Sequence, residues 1–279
     1  MRYTLMHVSD LHAGPPFNLQ VGEALVEQAH NLRPDVLVAS GDFVQRADFL
    51  SQWQLIKAFL QRLPTPQFVV PGNHDVPLYN GFRRLFFPLG PYSRHISNTL
   101  TPLLELPGLV LVGGSTAHGM TVAGGLMNPH QMARMGQAFA AYDGAYCKVA
   151  VLHHPVISPP QNSKSEPLLN ERAVARLMQW SGVELILSGH VHFAHADTLD
   201  NLWQTARWAR GMRPECGPIV QCCAGTTTSR RGRGPGKDQN SFNILTIDDS
   251  TIQVQPYIYD QRRGGFVEHT AQTFTRLRR

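Results

Sequence analysis

Three observations predict an α/β fold of two stacked sheets within a single domain. The N-terminal half alternates short β-branched or apolar runs with amphipathic segments. Beyond about residue 192 the helical signal fades and strand-like runs replace it. No internal repeat or linker-like stretch divides the 279 residues, so one domain over 1–279 is preferred to the two that about 150 residues per domain would give.

Tyr3–Val8 reads as a buried strand, Val21–Asn31 as a helix and Asp35–Ala39 as a second strand. Phe49–Arg62 reads as another helix and Gln67–Val70 as a third strand, completing a βαβαβ run of the kind that builds a mostly parallel sheet. Tyr79–Tyr92 is an aromatic, basic segment whose simplest reading is an apolar helix packed on the core, with a rim or a dimer contact as alternatives. Leu103–Leu106 and Leu109–Val112 form a hairpin, Pro129–Ala141 a helix, and Cys147–Leu152 a strand. A Pro/Ser/Asn loop over Ser158–Pro167 has the composition of a site rim. Asn170–Trp180 is helical with Val174, Leu177 and Met178 on one face, and Val183–Leu187 is a strand. Ile219–Cys223, Ser241–Ile247 and Ile252–Tyr259 are expected as antiparallel strands of a second sheet, which residues 201–279 would complete before a basic tail.

Composition narrows the class. Apolar residues make up 42 % and charged residues 16 % of the chain, against about 25 % charged in an ordinary globular protein. That permits a large core and excludes a coiled coil or a disordered tail. The 13 histidines stand out beside 20 acids, and none lies in a tag-like run; histidine in such number points to metal or proton chemistry. Residues 201–279 hold 12 Lys+Arg and 6 Asp+Glu, against 13 and 14 in residues 1–200. An Arg-rich C-terminal third suits bidentate capture of phosphate, although an ordinary solvated face fits the same numbers. Cys147, Cys216, Cys222 and Cys223 make no disulfide framework in a chain this long, and the adjacent pair sits in an apolar run as core. No apolar leader segment precedes Asp10 and no apolar stretch approaches 18 residues, so a cytoplasmic protein is expected.

Each strand of the α/β part stops at a polar cluster, where open α/β sheets place their sites. In order these are Asp10-x-His12, Gly41-Asp42, Gly72-Asn73-His74-Asp75, His153-His154-Pro155 and Gly189-His190-x-His192. A solitary Asp-Leu-His is ordinarily a capped strand end and a solitary Gly-Asp a turn. Five such clusters at successive strand ends, offering only Asp, Asn and His, form a far more specific pattern.

That order and spacing resembles the calcineurin-like metallophosphoesterase superfamily, and within it the small class III cyclic-nucleotide phosphodiesterases, over roughly residues 3–260. The resemblance implies a four-layer α/β/β/α sandwich with a binuclear metal centre at the strand C-terminal ends. It implies that Asp10, His12, Asp42 and His192 hold one metal and that Asp42, Asn73, His153 and His190 hold the other, with Asp42 shared. Manganese, iron and zinc all accept such mixed oxygen and nitrogen ligands, and a hydroxide shared by two metals would attack the phosphorus. His74 would be the general acid. Asp75 is grouped with it as catalytic, either orienting His74 or satisfying backbone amides. His154 would either support the ligands or face the substrate. From the glycine-rich loop Ser229–Asp238, Arg230, Arg231 and Arg233 would close over an anionic substrate or its leaving group, with a plain surface loop as the alternative. His195 is a strand-edge residue or a support for the site, and the other histidines are structural. Gln45 stands three residues after Asp42, where purple acid phosphatases carry a tyrosine ligand and calcineurin-type phosphatases aspartate, so neither a tyrosinate-to-iron colour nor phosphoprotein phosphatase activity is expected.

The function expected is hydrolysis of a phosphodiester, foremost a 3′,5′- or 2′,3′-cyclic nucleotide. Alternatives are a pyrophosphatase acting on a nucleotide-linked lipid at the membrane surface, a nuclease-type phosphoesterase, and a non-catalytic scaffold. Nucleic acid is disfavoured as a partner; peripheral membrane contact and a homodimer stay open.

Overall fold

The polar clusters are brought together by two sheets packed face to face. The computed structural model describes residues 1–161, 168–205 and 218–276. The Ser158–Pro167 loop therefore lies partly outside the described residues, and Cys216 wholly so.

The chain runs β1 (Arg2–Val8), α1 (Leu19–Leu32), β2 (Val36–Ala39), α2 (Leu50–Leu60), β3 (Gln67–Val69), α3 (Gly81–Phe86) and α4 (Gly90–His95). It continues through β4 (Leu103–Leu106), β5 (Leu109–Gly113), α5 (Pro129–Ala140), β6 (Cys147–Val151), α6 (Glu171–Trp180) and β7 (Leu185–Ser188). The last part holds β8 (His195–Thr198), α7 (Leu199–Thr205), β9 (Val220–Cys223), β10 (Ser241–Asp248), β11 (Thr251–Asp260), β12 (Gly265–Glu268) and β13 (Gln272–Thr275).

One sheet has the order β12-β11-β10-β1-β2-β3, with β13 also paired to β11; the other runs β4-β5-β6-β7-β9-β8. Within them β1, β2 and β3 are parallel neighbours, as are β5, β6, β7 and β9. Strand alternation divides the apolar side chains into three layers of packing. From β1 and β2, Met6, Val8, Leu37 and Ala39 join Val21, Leu25, Trp53 and Ile56 of α1 and α2. The opposite faces, including Leu5, Val36, Val38, Val149, Leu187 and Leu245, meet between the sheets. Beyond the second sheet, Val110, Val112 and Ile186 pack on Phe139, Val174 and Met178. The result is the expected α/β/β/α sandwich.

Two local expectations are corrected. Of the C-terminal strands only β9 joins the second sheet, parallel to β7 and antiparallel to the edge strand β8, whereas β10 and β11 extend the first sheet from β1. An apolar run shows that a strand is buried on both faces, as β10 is on Phe242 and Leu245, but not which edge it joins. The aromatic segment at 79–92 is not a core helix either. It forms two short helices that bury Leu89 and Tyr92 and leave Tyr79, Phe82, Leu85, Phe86 and Phe87 exposed.

Candidate metal centre

The loops after β1, β2, β3, β6 and β7 carry the five clusters, and all seven expected ligands are buried there. The chain makes an unusual turn at most of them. Asp10, His12, Asp42, His190 and His192 have φ of 53°, 49°, 57°, 69° and 62°, a left-handed region that Asp, Asn and His tolerate better than other side-chain-bearing residues. Each still costs on the order of 1–3 kcal/mol unless its surroundings over-determine it. The glycines of the motifs let the loops close. A Cβ at Gly72 would run into the Asp42 carboxylate and amide, and one at Gly189 into Ser9 Oγ.

Hydrogen bonds then fix which atoms face inward. The His192 Nδ1–H donates to the Arg231 carbonyl (2.7 Å), and the His153 Nδ1–H donates to the Ser40 carbonyl (2.7 Å). In a neutral ring that leaves each Nε2 with only a lone pair. His192 Nε2 nevertheless lies 3.0 Å from Asp10 Oδ1. His153 Nε2 lies 3.1 Å from Asn73 Oδ1 and 3.4 Å from Asp42 Oδ1. Asn73 Oδ1 is also 3.1 Å from His190 Nδ1. His12 Nε2 is 3.6 Å from Asp10 Oδ1 and 3.7 Å from Asp42 Oδ2. Asp10 Oδ1 and Asp42 Oδ2 are buried without a hydrogen-bond partner. Buried acceptors of this kind call for an explanation, and acceptor facing acceptor is relieved by a cation between them. Asp10, His12, Asp42 and His192 could hold one ion, and Asp42, Asn73, His153 and His190 have the geometry for a neighbour.

The electrostatics agree. Burial would raise the Asp10 carboxyl, but His192, His12 and His153 hold it well below the usual carboxylate range. Burial drives His12 down to about 3 against the pull of Asp10, and burial with His154 and His153 nearby drives His190 well below its ordinary value. Burial also acts to lower His153, where Asp42 and Asp10 prevail and raise it. An ionised Asp10 with the neutral imidazoles of His12 and His190 nearby offers donors suited to a hard-to-borderline divalent ion.

A cleft of about 340 Å³ opens over the centre, lined by Asp42, Asn73, His74, His190, His192 and Arg231, among others. His74 reaches it from the single 3-10 turn after β3; its amide donates to Asp42 Oδ1 (2.8 Å). Its Nδ1–H donates to the Gln45 carbonyl (2.8 Å), so Nε2 accepts from Arg231 Nη1 (3.0 Å). The same Nη1 donates to Gln45 Oε1 (2.9 Å).

Three expected site residues do not line the cleft. Asp75 does not line the cleft: its carboxylate accepts from the amides of Asp42, Phe43, Val44 and Gly72 at 2.8–3.2 Å, pinning the second and third loops together. Burial and Asp42 push it up to about 8, against the pull of those amides. His154 lies within ligand reach of His153 and His190, but both its nitrogens are taken, by the Thr116 hydroxyl (2.8 Å) and the Ala123 carbonyl (2.9 Å). Arg230 is exposed and away from the cleft. His195 sits on the edge strand β8.

Arg233 lines the cleft beside Arg231, as the loop reading expects. Arg46 and Arg84 also line it and were not expected there; Arg46, next to Gln45, offered a signal through its place four residues after Asp42. Thr226 and Thr228 donate their hydroxyls to the Asp10 and Leu11 carbonyls, and Thr227 Oγ1 accepts the Ser9 amide, so this run braces the first ligand loop.

The sandwich and its strand-end donors are those of a class, the metal-dependent phosphoesterases. The family model for calcineurin-like phosphoesterases matches residues 3–194, and the chain belongs to that family. A cAMP/cGMP dual specificity phosphodiesterase of Mycobacterium tuberculosis (strain CDC 1551 / Oshkosh) is 27 % identical over 215 residues, spanning 69 % of this chain and 62 % of that protein. Among solved structures, a purple acid phosphatase from yellow lupin (Lupinus luteus) seeds superposes with a TM-score of 0.72 at 12 % identity, over 99 % of this chain and 54 % of that one. A dimetal phosphatase from Danio rerio gives 0.64 at 12 % identity, over 98 % of each chain. These two likenesses concern the fold alone. Among the described residues no helix is long and apolar enough to cross a membrane.

Proposed function

We propose that the chain hydrolyses a small phosphodiester, a 3′,5′- or 2′,3′-cyclic nucleotide, at a centre held by Asp10, His12, Asp42, Asn73, His153, His190 and His192. The observation that carries this reading is the convergence of bare imidazole nitrogens and unpartnered carboxylate oxygens beneath an arginine-lined cleft. When bound there, two ions of manganese, iron or zinc would supply Lewis acidity and an activated water. Asp42, with Oδ1 toward His153 and Oδ2 toward His12, is the shared ligand.

The protein's own groups do the rest. Arg231 and Arg46 present guanidinium groups to the phosphoryl oxygens, and Arg231 must yield His74 Nε2 to the substrate, since it occupies that atom now. The Gln45 carbonyl keeps the His74 ring oriented through Nδ1, so Nε2 is the atom that, once Arg231 has withdrawn and it has taken up a proton from water, passes that proton to the departing oxygen. A cleft of about 340 Å³ is at the small end of the roughly 300–1,000 Å³ usual for small-molecule sites and suits a mononucleotide. The relative named as a cAMP/cGMP phosphodiesterase supports the same substrate class.

The test is turnover of 3′,5′-cAMP, 2′,3′-cAMP and bis-p-nitrophenyl phosphate by protein reconstituted with each metal, alongside His74→Ala. We expect metal-dependent hydrolysis of a cyclic nucleotide, and for His74→Ala full metal content with about 10²–10⁴-fold lower kcat. Hydrolysis of the aryl diester with no cyclic nucleotide turned over would reject the substrate; an unimpaired His74→Ala would reject the acid.

A further inference from the structure

The wall of the cleft continues into a surface that the metal chemistry does not use. Tyr79, Phe82, Leu85, Phe86 and Phe87 are each between 59 % and 67 % exposed. Phe82, Phe86 and Phe87 form one aromatic cluster, with the Phe82 centroid 4.9 Å from Phe86 and 6.3 Å from Phe87, and Tyr79 pairs separately with Phe49 of the neighbouring loop at 6.1 Å. Single exposed apolar residues are ordinary on a folded protein; a contiguous group of large ones marks an interaction site.

Beside the cluster lies a groove of about 430 Å³ between the start of α2 and α3–α4. Leu50, Trp53, Phe87 and Pro91 give it an apolar floor, and Arg83 and Arg94 stand on its walls. Neither guanidinium has a carboxylate partner among the described residues. The acid that also lines the groove, Asp48, already accepts from the amides of Leu78, Tyr79 and Asn80. From residue 76 to 104 the chain holds Arg83, Arg84 and Arg94 and no Asp or Glu. An isologous pairing of two copies through this face would set arginine against arginine. Anionic phospholipids instead offer phosphates to the guanidinium groups and an interfacial apolar layer to the aromatic rings.

We propose that this face docks the protein on an anionic lipid bilayer, with Phe82 and Phe86 in the headgroup boundary and Arg83 and Arg94 on lipid phosphates. The placement relative to the cleft gives the docking a use. Leu78 and Arg84 line the cleft from the same segment, and Arg84 ties it to the exposed 119–122 loop by donating to the Thr121 carbonyl. A docked molecule would hold the mouth of the metal centre beside the membrane surface.

The test is cosedimentation of the full chain with vesicles of phosphatidylcholine alone and of phosphatidylcholine mixed with phosphatidylglycerol, at about 0.1 M salt. Capture is read without turnover, so it stands or falls separately from the cyclic-nucleotide reading. We expect roughly tenfold or more capture by the anionic vesicles over the neutral ones. Phe82→Ser/Phe86→Ser and, independently, Arg83→Glu/Arg94→Glu should lose that capture while hydrolysing soluble bis-p-nitrophenyl phosphate at the wild-type rate. The proposal is overturned if anionic vesicles capture no more than neutral ones, or if both double variants sediment like the wild type. It is overturned equally if light scattering shows a dimer that Phe82→Ser/Phe86→Ser dissolves.

Discussion

The strand-end loops and the 78–95 rim invert the usual rule of burial in opposite senses. The loops bury Asp10, His12, Asp42, Asn73, His153, His190 and His192, residue types that a protein ordinarily leaves wet or fully paired. The rim exposes a run of phenylalanines that a protein ordinarily buries. The first arrangement is tolerable only if something brings positive charge inside, and the second only if something apolar comes to meet it. We read both as sites because both are unfinished, and each reading can be broken by one substitution.

The largest effect should come from Asp42→Asn. Asparagine keeps the left-handed turn at φ 57° and an acceptor for the His74 amide, so the change removes charge more than structure. Metal analysis should find less than one ion per chain, and activity should fall by about 10⁴-fold or more, as for loss of a group the whole centre shares. Full metal loading in this variant would show that the carboxylate is not the bridge. Asp75→Ala should act on the fold instead. It leaves four buried amides without their acceptor, at a cost of about 3–5 kcal/mol in chemical denaturation. A loss below about 1 kcal/mol would mean that the loops are held by other bonds.

What the sequence revealed of these regions follows from what each depends on. The ligands were legible because metal chemistry restricts the residue type at each strand end, and βαβ alternation says where those ends are. His74 and Asp75 were legible as a pair, and of the two readings open for Asp75 the structure carries the one in which it satisfies backbone amides. Adjacent residues on a 3-10 turn point in different directions, and only the amides around Asp75 show that it anchors loops. Arg230 and Arg231 posed the same problem in reverse, one reaching the cleft and its neighbour facing solvent. The destination of β10 and β11 was hidden because burial on both faces fits either sheet. The rim was misread because an apolar, aromatic composition predicts a core helix unless something shows that the core is already full; here Trp53 and Phe43 leave room for the segment's Leu89 and Tyr92 and for none of its other large side chains.

Arg231 lines the cleft, and its Nη1 holds both Gln45 and His74. Burial and the nearby Arg233 act to lower its pKa, with Asp42 opposing, so an incoming phosphate would find a charge without an acidic partner. Arg231→Ala should raise KM by about tenfold, the equivalent of roughly 1.4 kcal/mol, for loss of a charge-assisted contact. Its kcat should fall less, because the Gln45 carbonyl still orients His74. Lysine at this position should restore the affinity only in part, since it lacks the planar fork. An unchanged KM would move Arg231 from substrate binding to loop support.

The smallest effect belongs to the rim and is the sharpest check on the contrast. A buried phenylalanine such as Phe43 contributes about 3–5 kcal/mol to folding, and the same side chain at Phe86 should contribute almost nothing, because it is 60 % exposed and packs chiefly on the equally exposed Phe82. Phe86→Ser should therefore leave unfolding free energy within about 0.5 kcal/mol of wild type, and at a given salt and concentration the variant should be the more soluble. If it instead destabilises the isolated chain by about 2 kcal/mol or more, Phe86 is part of the core. The rim would then be finished after all, and the comparison between buried charge and exposed aromatics would rest on the metal loops alone.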